Sequence, residues 1–484
     1  MAAPLKVLLV TYSFPPTGGV GVLRAASLAR YLPLHDVDLD VLTTRNPSAV
    51  GLDLDLARDI PSGVRIHRTF TPDIPFGLKK RLKGLISGRS QSGPVAPLPP
   101  VTPSWYTGEF DPLHVPYPIP DPSEMKTPGL VARLKGRVRD LMLPDPQVLW
   151  VPIALQKAIE IIRERSVELV LITVPPFSTA LLAAKLRRRF PNLPIVLDFR
   201  DEWLSTAFNL FSFSASDKAR RVARDAEAAA VQAASVVVAA SENARDEIHS
   251  RYPKLSADRF FHIPNGYDQS RIGRVERAQN PTPRAQDERI LVTHVGTVYR
   301  TGDPTPFISA LKSLAPEARD RFRFRFIGRI ENPAYRDQLL SLGDVVELRN
   351  FMPQREALAA LAETDFALLI QHCRLNVVQK FYDYIGSGKP ILGALHPQGE
   401  VRNLFEKTGA GLWAHCQDVD ALRRMIEFVA RDGKQYAARF KPKTEVIAAY
   451  ERAQVAARYA DLLWVAARHE HDPAALAAVP ERNA

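Results

Sequence analysis

KVLLVTYSFPPTGGVGVLRAASLARYLPLHDVDLDVLTT, Lys6 to Thr44, is the stretch on which the fold turns. KVLLVTY (Lys6–Tyr12) reads as a short buried strand, and SFPPTGG as the loop that leaves it. GVLRAASLARYL follows with helical spacing of its apolar residues and stops near Pro33; VDLDVLTT (Val37–Thr44) is a second strand. Strand, glycine-rich loop, helix and strand in this order open a βαβ unit, the building block of parallel sheets.

Outward from this unit the rhythm is first broken and then resumed. Of the 35 residues from Pro94 to Pro128, 11 are proline, too many for the interior of any regular element. An extended excursion over about 72–145 is therefore expected within the first domain. A helix over Ile153–Arg163, the strand VELVLIT (Val167–Thr173) and the helix Ser178–Phe190 restore the pattern. The strand PIVLDFRD, an alanine-rich helix around Ala215–Ala234, the strand VVVAAS (Val236–Ser241) and FFHIPNGYD (Phe260–Asp268) complete a domain expected to span 1–270. Residues 271–287 are polar and aperiodic, as a connection would be. A second array over 288–442 has strands expected at Ile290–Gly296, Phe322–Gly328, Val345–Phe351, Asp365–Ile370 and Pro390–Leu395. Lys443–His469 reads as one helix, opening a tail over 443–484. The economical arrangement is α/β, with two domains that each carry a mostly parallel sheet.

Length and composition agree with this and exclude much else. The chain has 484 residues, 46% apolar and 24% charged, which excludes a wholly disordered chain and a disulfide-stapled miniature. Only Cys373 and Cys416 occur, with no close pair, so a thiolate zinc site and a disulfide framework are not expected, and a reducing, cytoplasmic compartment is. His372 adjoins Cys373, but spacing places no further ligands beside them. No run of 18 uncharged apolar residues appears. The 64 basic and 53 acidic side chains leave a charge of +11, suited to an anionic small molecule or an acidic membrane surface. No zinc finger, RNA-binding sheet signature or aromatic-interleaved basic stripe is present, so no nucleic-acid partner is expected. FGLKKRLKGLI (Phe76–Ile86) and LVARLKGRVRDL (Leu130–Leu141) each combine an apolar stripe with basic residues. Such a face can lie in a bilayer interface or pack on its own domain; the expectation is peripheral contact with the cytoplasmic face of the inner membrane.

Ligands of open α/β sheets sit beyond the carboxyl ends of the strands, so the residues just after each strand carry the chemistry. Gly18, Gly19 and Gly21 follow the first strand; they would let backbone approach an anion, or simply make a tight turn. Dinucleotide binding is disfavoured, because position 24 is Arg where a third glycine is wanted and the second strand ends in Thr43–Thr44 where an acid is wanted. The absence of a Lys-Ser or Lys-Thr pair disfavours a P-loop.

DFRDEW (Asp198–Trp203) packs four charges and a tryptophan after one strand. It reads either as a self-satisfied ion-pair network or as a polar pocket, with Asp201 a proton acceptor, Arg200 a fork for an anion and Trp203 a platform for a sugar or lipid edge. In the second array Gly296, Thr297, Tyr299 and Arg300 follow one strand, and Gly328 ends another. A helix expected over Asn376–Ile385 carries Lys380 with Asp383 three residues on and Tyr384 four, so one face can hold them. Lys380 suits a diphosphate and Asp383 ribose hydroxyls; the alternative is a surface ion pair before a Gly386–Gly388 helix stop.

YSFPPTGGVGVLRAASLARYL (Tyr12–Leu32), PDPQVLWVPIALQKAI (Pro144–Ile159), LITVPPFSTALLAAKL (Leu171–Leu186), IVLDFRDEW (Ile195–Trp203), HIPNGYD (His262–Asp268), HVGTVYRTGDP (His294–Pro304) and KFYDYIGSGKPIL (Lys380–Leu392) occur in that order at strand ends. Together they make the chain, from Lys6 to about Leu463, resemble the GT-B nucleotide-sugar glycosyltransferases, in particular the bacterial polysaccharide branch of glycosyltransferase family 4. The resemblance implies two Rossmann-like domains facing a cleft, with the last helix returning to brace the first.

It also implies transfer of a sugar from a nucleoside-diphosphate sugar, UDP- or GDP-linked, to an acceptor hydroxyl. Anomeric configuration would be retained, with no tightly bound cofactor or metal. The donor would lie on the second domain, against Gly296, Thr297, Tyr299, Gly328, Lys380 and Asp383, with Gly18, Gly19 and Gly21 facing its phosphates. A lipid-linked or growing glycan would lie on the first, bordered by Arg200 and Asp201. Arg200, Asp201, Arg300 and Lys380 would carry catalysis. Many relatives have an Arg and a Lys where this chain has Thr297 and Gly302, and a glutamate pair where it has Leu375 and Asp383. Arg300 and Lys380 are then the candidate replacements for the missing charge. An epimerase or hydrolase of the same fold, or a non-catalytic scaffold of glycan assembly, is the alternative.

Overall fold

The computed structural model describes residues 3–45, 47, 52–72, 140, 142–207, 217–272, 288–350, 352 and 354–468. The basic stretches at 76–86 and 130–139, the proline-rich run and most of the expected connection lie outside the described residues. Of the described chain, residues up to Ala239, Ile248–Phe261 and Tyr459–Arg468 form one compact unit; Ala240–Glu247 and His262–Arg458 form another.

The first unit is built on β1 (Leu5–Val10), β2 (Val37–Thr44), β3 (Arg65–Thr69), β4 (Leu169–Val174), β5 (Ile195–Phe199), β6 (Val236–Ala239) and β7 (Phe260–His262), in the order β3-β2-β1-β4-β5-β6-β7. From β3 to β6 every pairing is parallel. β1 and β4 are buried almost throughout, as strands covered on both faces must be. The order reverses between β1 and β4, and the loops leaving these two strands therefore diverge and leave a crevice at their carboxyl ends.

The second unit has β8 (Ile290–Val295), β9 (Phe322–Ile327), β10 (Val346–Arg349), β11 (Phe366–Gln371), β12 (Ile391–Leu395) and β13 (Gly411–His415), all parallel, in the order β10-β9-β8-β11-β12-β13. Its reversal lies between β8 and β11. Two apolar cores occupy the unit: Phe307, Phe322, Phe324 and Phe366 belong to one, and Leu369, Phe381, Tyr382 and Tyr384 to the other.

Two strands carry no strand signal in the sequence. β3 (RIHRT) is polar because charge sets its register: Arg65 donates to Asp40 at 3.1 Å and also pairs with Asp38, and His67 lies 2.7 Å from Asp40. β13 starts at Gly411, whose φ of +146° and lack of a side chain let it sit against Ile391; a Cβ there would be 2.3 Å from the Ile391 carbonyl oxygen. β10 is also shorter than the Val345–Phe351 reading.

Two helices differ from expectation. The Lys443–His469 pattern is broken into Thr444–Ala448 and Arg452–Arg468, because the intervening backbone pairs with Tyr267: Tyr267 N donates to Tyr450 O at 3.1 Å and Arg452 N to Tyr267 O at 2.9 Å. The helix expected from Asn376 begins only at Gln379. The carbonyls before it are spent elsewhere, that of Leu375 on Ser241 Oγ and that of Asn376 on Gln371 Nε2, and Val378 is extended.

Candidate functional site

At the carboxyl edge of the first sheet, the loop after β1 is braced from several sides. Thr43 and Thr44, where a dinucleotide fold would place an acid, donate their hydroxyls to Tyr12 O at 3.0 and 2.8 Å. Arg68 donates to Pro15 O, and Asp53 N to Pro16 O at 2.8 Å. Of the three candidate glycines, Gly19 alone has positive φ, +105°, so the tight-turn reading applies to it. Gly21 lies against the Arg200 guanidinium, where a Cβ would be 3.4 Å from Nη1.

The charges of DFRDEW divide into separate networks. Asp198, fully buried, takes both Arg24 Nε and Nη2 at 2.9–3.2 Å and the Tyr459 hydroxyl at 2.8 Å. Glu202, also fully buried, accepts from the backbone N–H of Leu204 and Ser205 and from Arg251, which in turn binds Glu227. Both carboxylates thus follow the ion-pair reading. Arg200 donates to Val174 O at 3.3 Å and Pro175 O at 2.6 Å, tying β5 to the end of β4. Trp203 is no open platform: it is buried, and stacks on Phe177 with ring centres 4.8 Å apart. Asp201 remains a polar group of this edge; burial pushes its carboxyl pKa up, while the positive charges of Arg200 and Arg24 pull it down.

The carboxyl edge of the second sheet gathers more of the candidates. Gly296 ends β8 with a φ of +106°, and Gly328 ends β9 with a φ of +132°. A Cβ on Gly328 would lie 2.6 Å from Gly296 O, so Gly328 serves the close approach of these two turns. Lys380, in the second position of the Gln379–Gly386 helix, reaches back to β8. Its Nζ lies 3.0 Å from His294 Nε2 and donates to Thr297 O at 3.2 Å. One turn on, the Tyr384 hydroxyl accepts from Val295 N at 2.8 Å. Lys380, Gly296 and Thr297 therefore form one group at the topological reversal, with Gly328 packed behind it. Burial pushes the Lys380 amine down to about 8.

Asp383 is engaged differently. Gln379 donates to it at 3.0 Å, Arg452 and Arg271 pull its pKa down, and burial, the dominant effect, pushes it up. Tyr299 is exposed. Arg300 opens a short turn, Arg300–Gly302, and its side chain lies outside the described residues. Gly302 has no room for a side chain, since a Cβ would meet Ile370 O at 2.7 Å. Leu375 is buried in the apolar interior. Beyond β11, burial and His415 push His372 down to about 4, against the pull of Asp303. Cys416 is buried and pushed up to about 12. Among the described residues no three His, Cys, Asp or Glu side chains are grouped to hold a metal ion.

Two participants were legible only by a signal left unused. Arg24 sits on the buried face of a helix among Leu23, Ala25, Ala26 and Leu28, and a charge there demands a partner. His294 is a titratable residue inside a buried strand that is otherwise apolar but for Thr293.

Residues 113–271 match the model of Glycosyltransferase Family 4. No curated protein matches the chain. Among solved structures it is similar to HepE of Anabaena in complex with UDP and glucose, at 15% identity and a TM-score of 0.57 over 95% of this chain and 99% of that one. It is similar to sucrose-phosphate synthase of Thermosynechococcus elongatus, at 13% identity and a TM-score of 0.55 over 95% and 98%. A third likeness is to an E. coli trehalose-6-phosphate protein bound with UDP-2-fluoro glucose, at 11% identity and a TM-score of 0.58 over 94% and 98%. The fold is GT-B, two Rossmann-like domains, and within it the segment 113–271 matches the family 4 model.

Proposed function

We propose that this protein is a glycosyltransferase that takes a sugar from a nucleoside-diphosphate sugar and passes it, with retention, to a hydroxyl of a lipid-linked or growing glycan. The observation that carries the reading is the Lys380 ammonium beside Gly296 at the strand-order reversal of the second sheet. A diphosphate meets there a cation, a turn without a side chain and the first turn of a helix. The UDP and UDP-sugar complexes of the similar structures support the same ligand class.

The costly event in such a transfer is departure of the nucleoside diphosphate as positive charge builds at the anomeric carbon. A preorganised cation aimed at the phosphates lowers that barrier. Lys380 supplies this cation where relatives use residues that this chain replaces with Thr297 and Gly302. The acceptor belongs to the first unit's carboxyl edge, where Gly21, Arg200 and Asp201 border the loop after β1. Retention follows from attack on the face that the leaving group vacates, without a covalent enzyme intermediate; a trapped glycosyl adduct would refute it. The net charge of +11 and the two basic stretches support work at an anionic membrane surface. Among the described residues no helix is long and apolar enough to cross a membrane.

The deciding experiment is a thermal-shift panel of UDP-, GDP- and ADP-sugars, followed by product analysis with lipid-linked acceptors. Stabilisation by one donor and a glycosylated product are expected. Donor turnover without acceptor would make the protein a hydrolase or epimerase. No response to any donor would make it a scaffold, a reading that the Thr297 and Gly302 replacements favour.

A further inference from the structure

We propose that His294 is a positioning residue for donor binding: its Nε2 keeps the Lys380 ammonium charged and aimed over the Gly296 turn. The inference rests on the donor site described above and adds to it a dependence on proton concentration.

His294 is 3% exposed, in register with Phe326 on β9, whose ring lies 5.5 Å away. Its burial and the neighbouring Lys380 hold the imidazole well below its ordinary pKa, so the ring is neutral and carries a single N–H. With the ammonium donating to Nε2, that proton sits on Nδ1, which is buried and, apart from its own backbone, has no hydrogen-bond partner among the described residues. A poorly paired buried donor is a cost that an apolar ring in the same place would avoid. The bond to Lys380 is what offsets it.

The direction of the effect on Lys380 follows. Burial drives the amine toward its neutral form, and two acceptors oppose burial: His294 Nε2 at 3.0 Å and Thr297 O at 3.2 Å. Gly296 leaves the space over the turn open, for a Cβ there would lie 3.7 Å from Nζ. The other titratable groups near the pair are Tyr384 and Asp383, on the same helix as Lys380. Burial pushes both upward, so the tyrosine stays neutral. Phe326, facing the imidazole from β9, brings no charge. Removing the imidazole acceptor therefore favours the neutral amine and lowers the Lys380 pKa further. A nucleoside diphosphate, which needs the ammonium, would then lose affinity at lower pH.

The test is calorimetric titration of UDP into the full-length protein between pH 7 and 9, where the terminal phosphate, with a second pKa of about 6, is already mostly ionised. GDP replaces UDP if UDP does not bind. Wild-type affinity should fall roughly tenfold across this range, with a midpoint near the Lys380 pKa of about 8. His294→Phe should move the midpoint down by at least about half a pH unit, and His294→Gln, whose amide oxygen can accept from the ammonium, should return it most of the way. His294→Leu serves if the Phe variant does not fold. An unchanged midpoint, or a uniform loss at every pH, would show that His294 only fills space and would overturn the inference. Lys380→Met separates the two levels: wild-type affinity in that variant, or binding of neither nucleotide to the wild type, removes the donor site itself.

Discussion

Arg24 and Asp198 form a two-pronged ion pair inside the first unit, Nε and Nη2 each within 3.2 Å of the carboxylate, with the Tyr459 hydroxyl on the same Oδ1 at 2.8 Å. The helix that carries Tyr459 is thereby fastened to the end of β5. Both charges are almost fully withdrawn from solvent, so neither can lose its partner cheaply.

Asp198→Asn should therefore destabilise the protein by roughly 3–5 kcal/mol, since it strands the Arg24 charge. Tyr459→Phe removes two hydrogen bonds to charged groups, one donated to Asp198 and one accepted from Arg24, and should cost at least about 1.5–3 kcal/mol. Melting temperatures of the single and double variants check this. The double variant should fall short of the sum, because both substitutions act on one carboxylate.

Lys380 should affect both activity and the pH dependence of stability. Lys380→Met is expected to lower turnover at least ~10-fold, about 1.4 kcal/mol of transition-state stabilisation. The amine titrates near 8 in the folded protein, below its ordinary 10.5, so the folded state releases this proton more readily than the unfolded chain. The burial penalty is fully present below about 8 and disappears as pH rises to 10.5. The wild type should therefore gain stability relative to the Met variant as pH rises from about 8 to 10.5, whatever the Met variant loses by leaving His294 without its partner. A stability difference that stays constant over this range would contradict the desolvation argument.

Introducing a lysine at position 302 should not create a new contact with the donor. A Cβ at Gly302 meets Ile370 O at 2.7 Å, and the turn cannot retreat without breaking the His372 N bond to Thr301 O at 2.8 Å. Gly302→Ala and Gly302→Lys should each cost about 1–3 kcal/mol, the ordinary price of overpacking, and lower nucleotide affinity. Thermal melts and UDP titration together check it; a tighter-binding Gly302→Lys variant would be the contrary result.

Trp203 should behave as a core residue. Trp203→Ala is expected to cost roughly 3–5 kcal/mol, since it empties the space beside Phe177. Trp203→Phe should keep the stack and leave the acceptor KM unchanged. A raised acceptor KM in a well-folded Phe variant would return the tryptophan to the sugar site.

The order of strands, loops and helices was legible because burial imposes periodicity. Lys6–Tyr12, Val167–Thr173 and Ile290–Gly296 are apolar runs bounded by turn residues, and each is a central strand. β3 and β13 were illegible for the same reason, since a charge ladder specifies one and a close glycine contact the other. In the candidate site, Lys380 and Tyr384 could be assigned to one face from their four-residue spacing. That Asp383 turns to Gln379 and Arg452 could not, because Arg452 lies 69 residues further along the chain.

The sequence by itself determined that the chain is α/β with two parallel sheets, and that its polar and glycine-rich clusters follow strand ends. Those are properties of neighbouring residues, written in spacing and composition. Only the tertiary structure decided which charges are free to meet a ligand. Asp198 and Glu202 are paired with Arg24 and Arg251, and Arg200 gives two donors to Val174 and Pro175 at the end of β4, while Lys380 is brought to His294 from 86 residues away. A buried charge takes whichever partner the packed chain sets beside it, and that partner is fixed by distance in space, which spacing along the sequence does not encode.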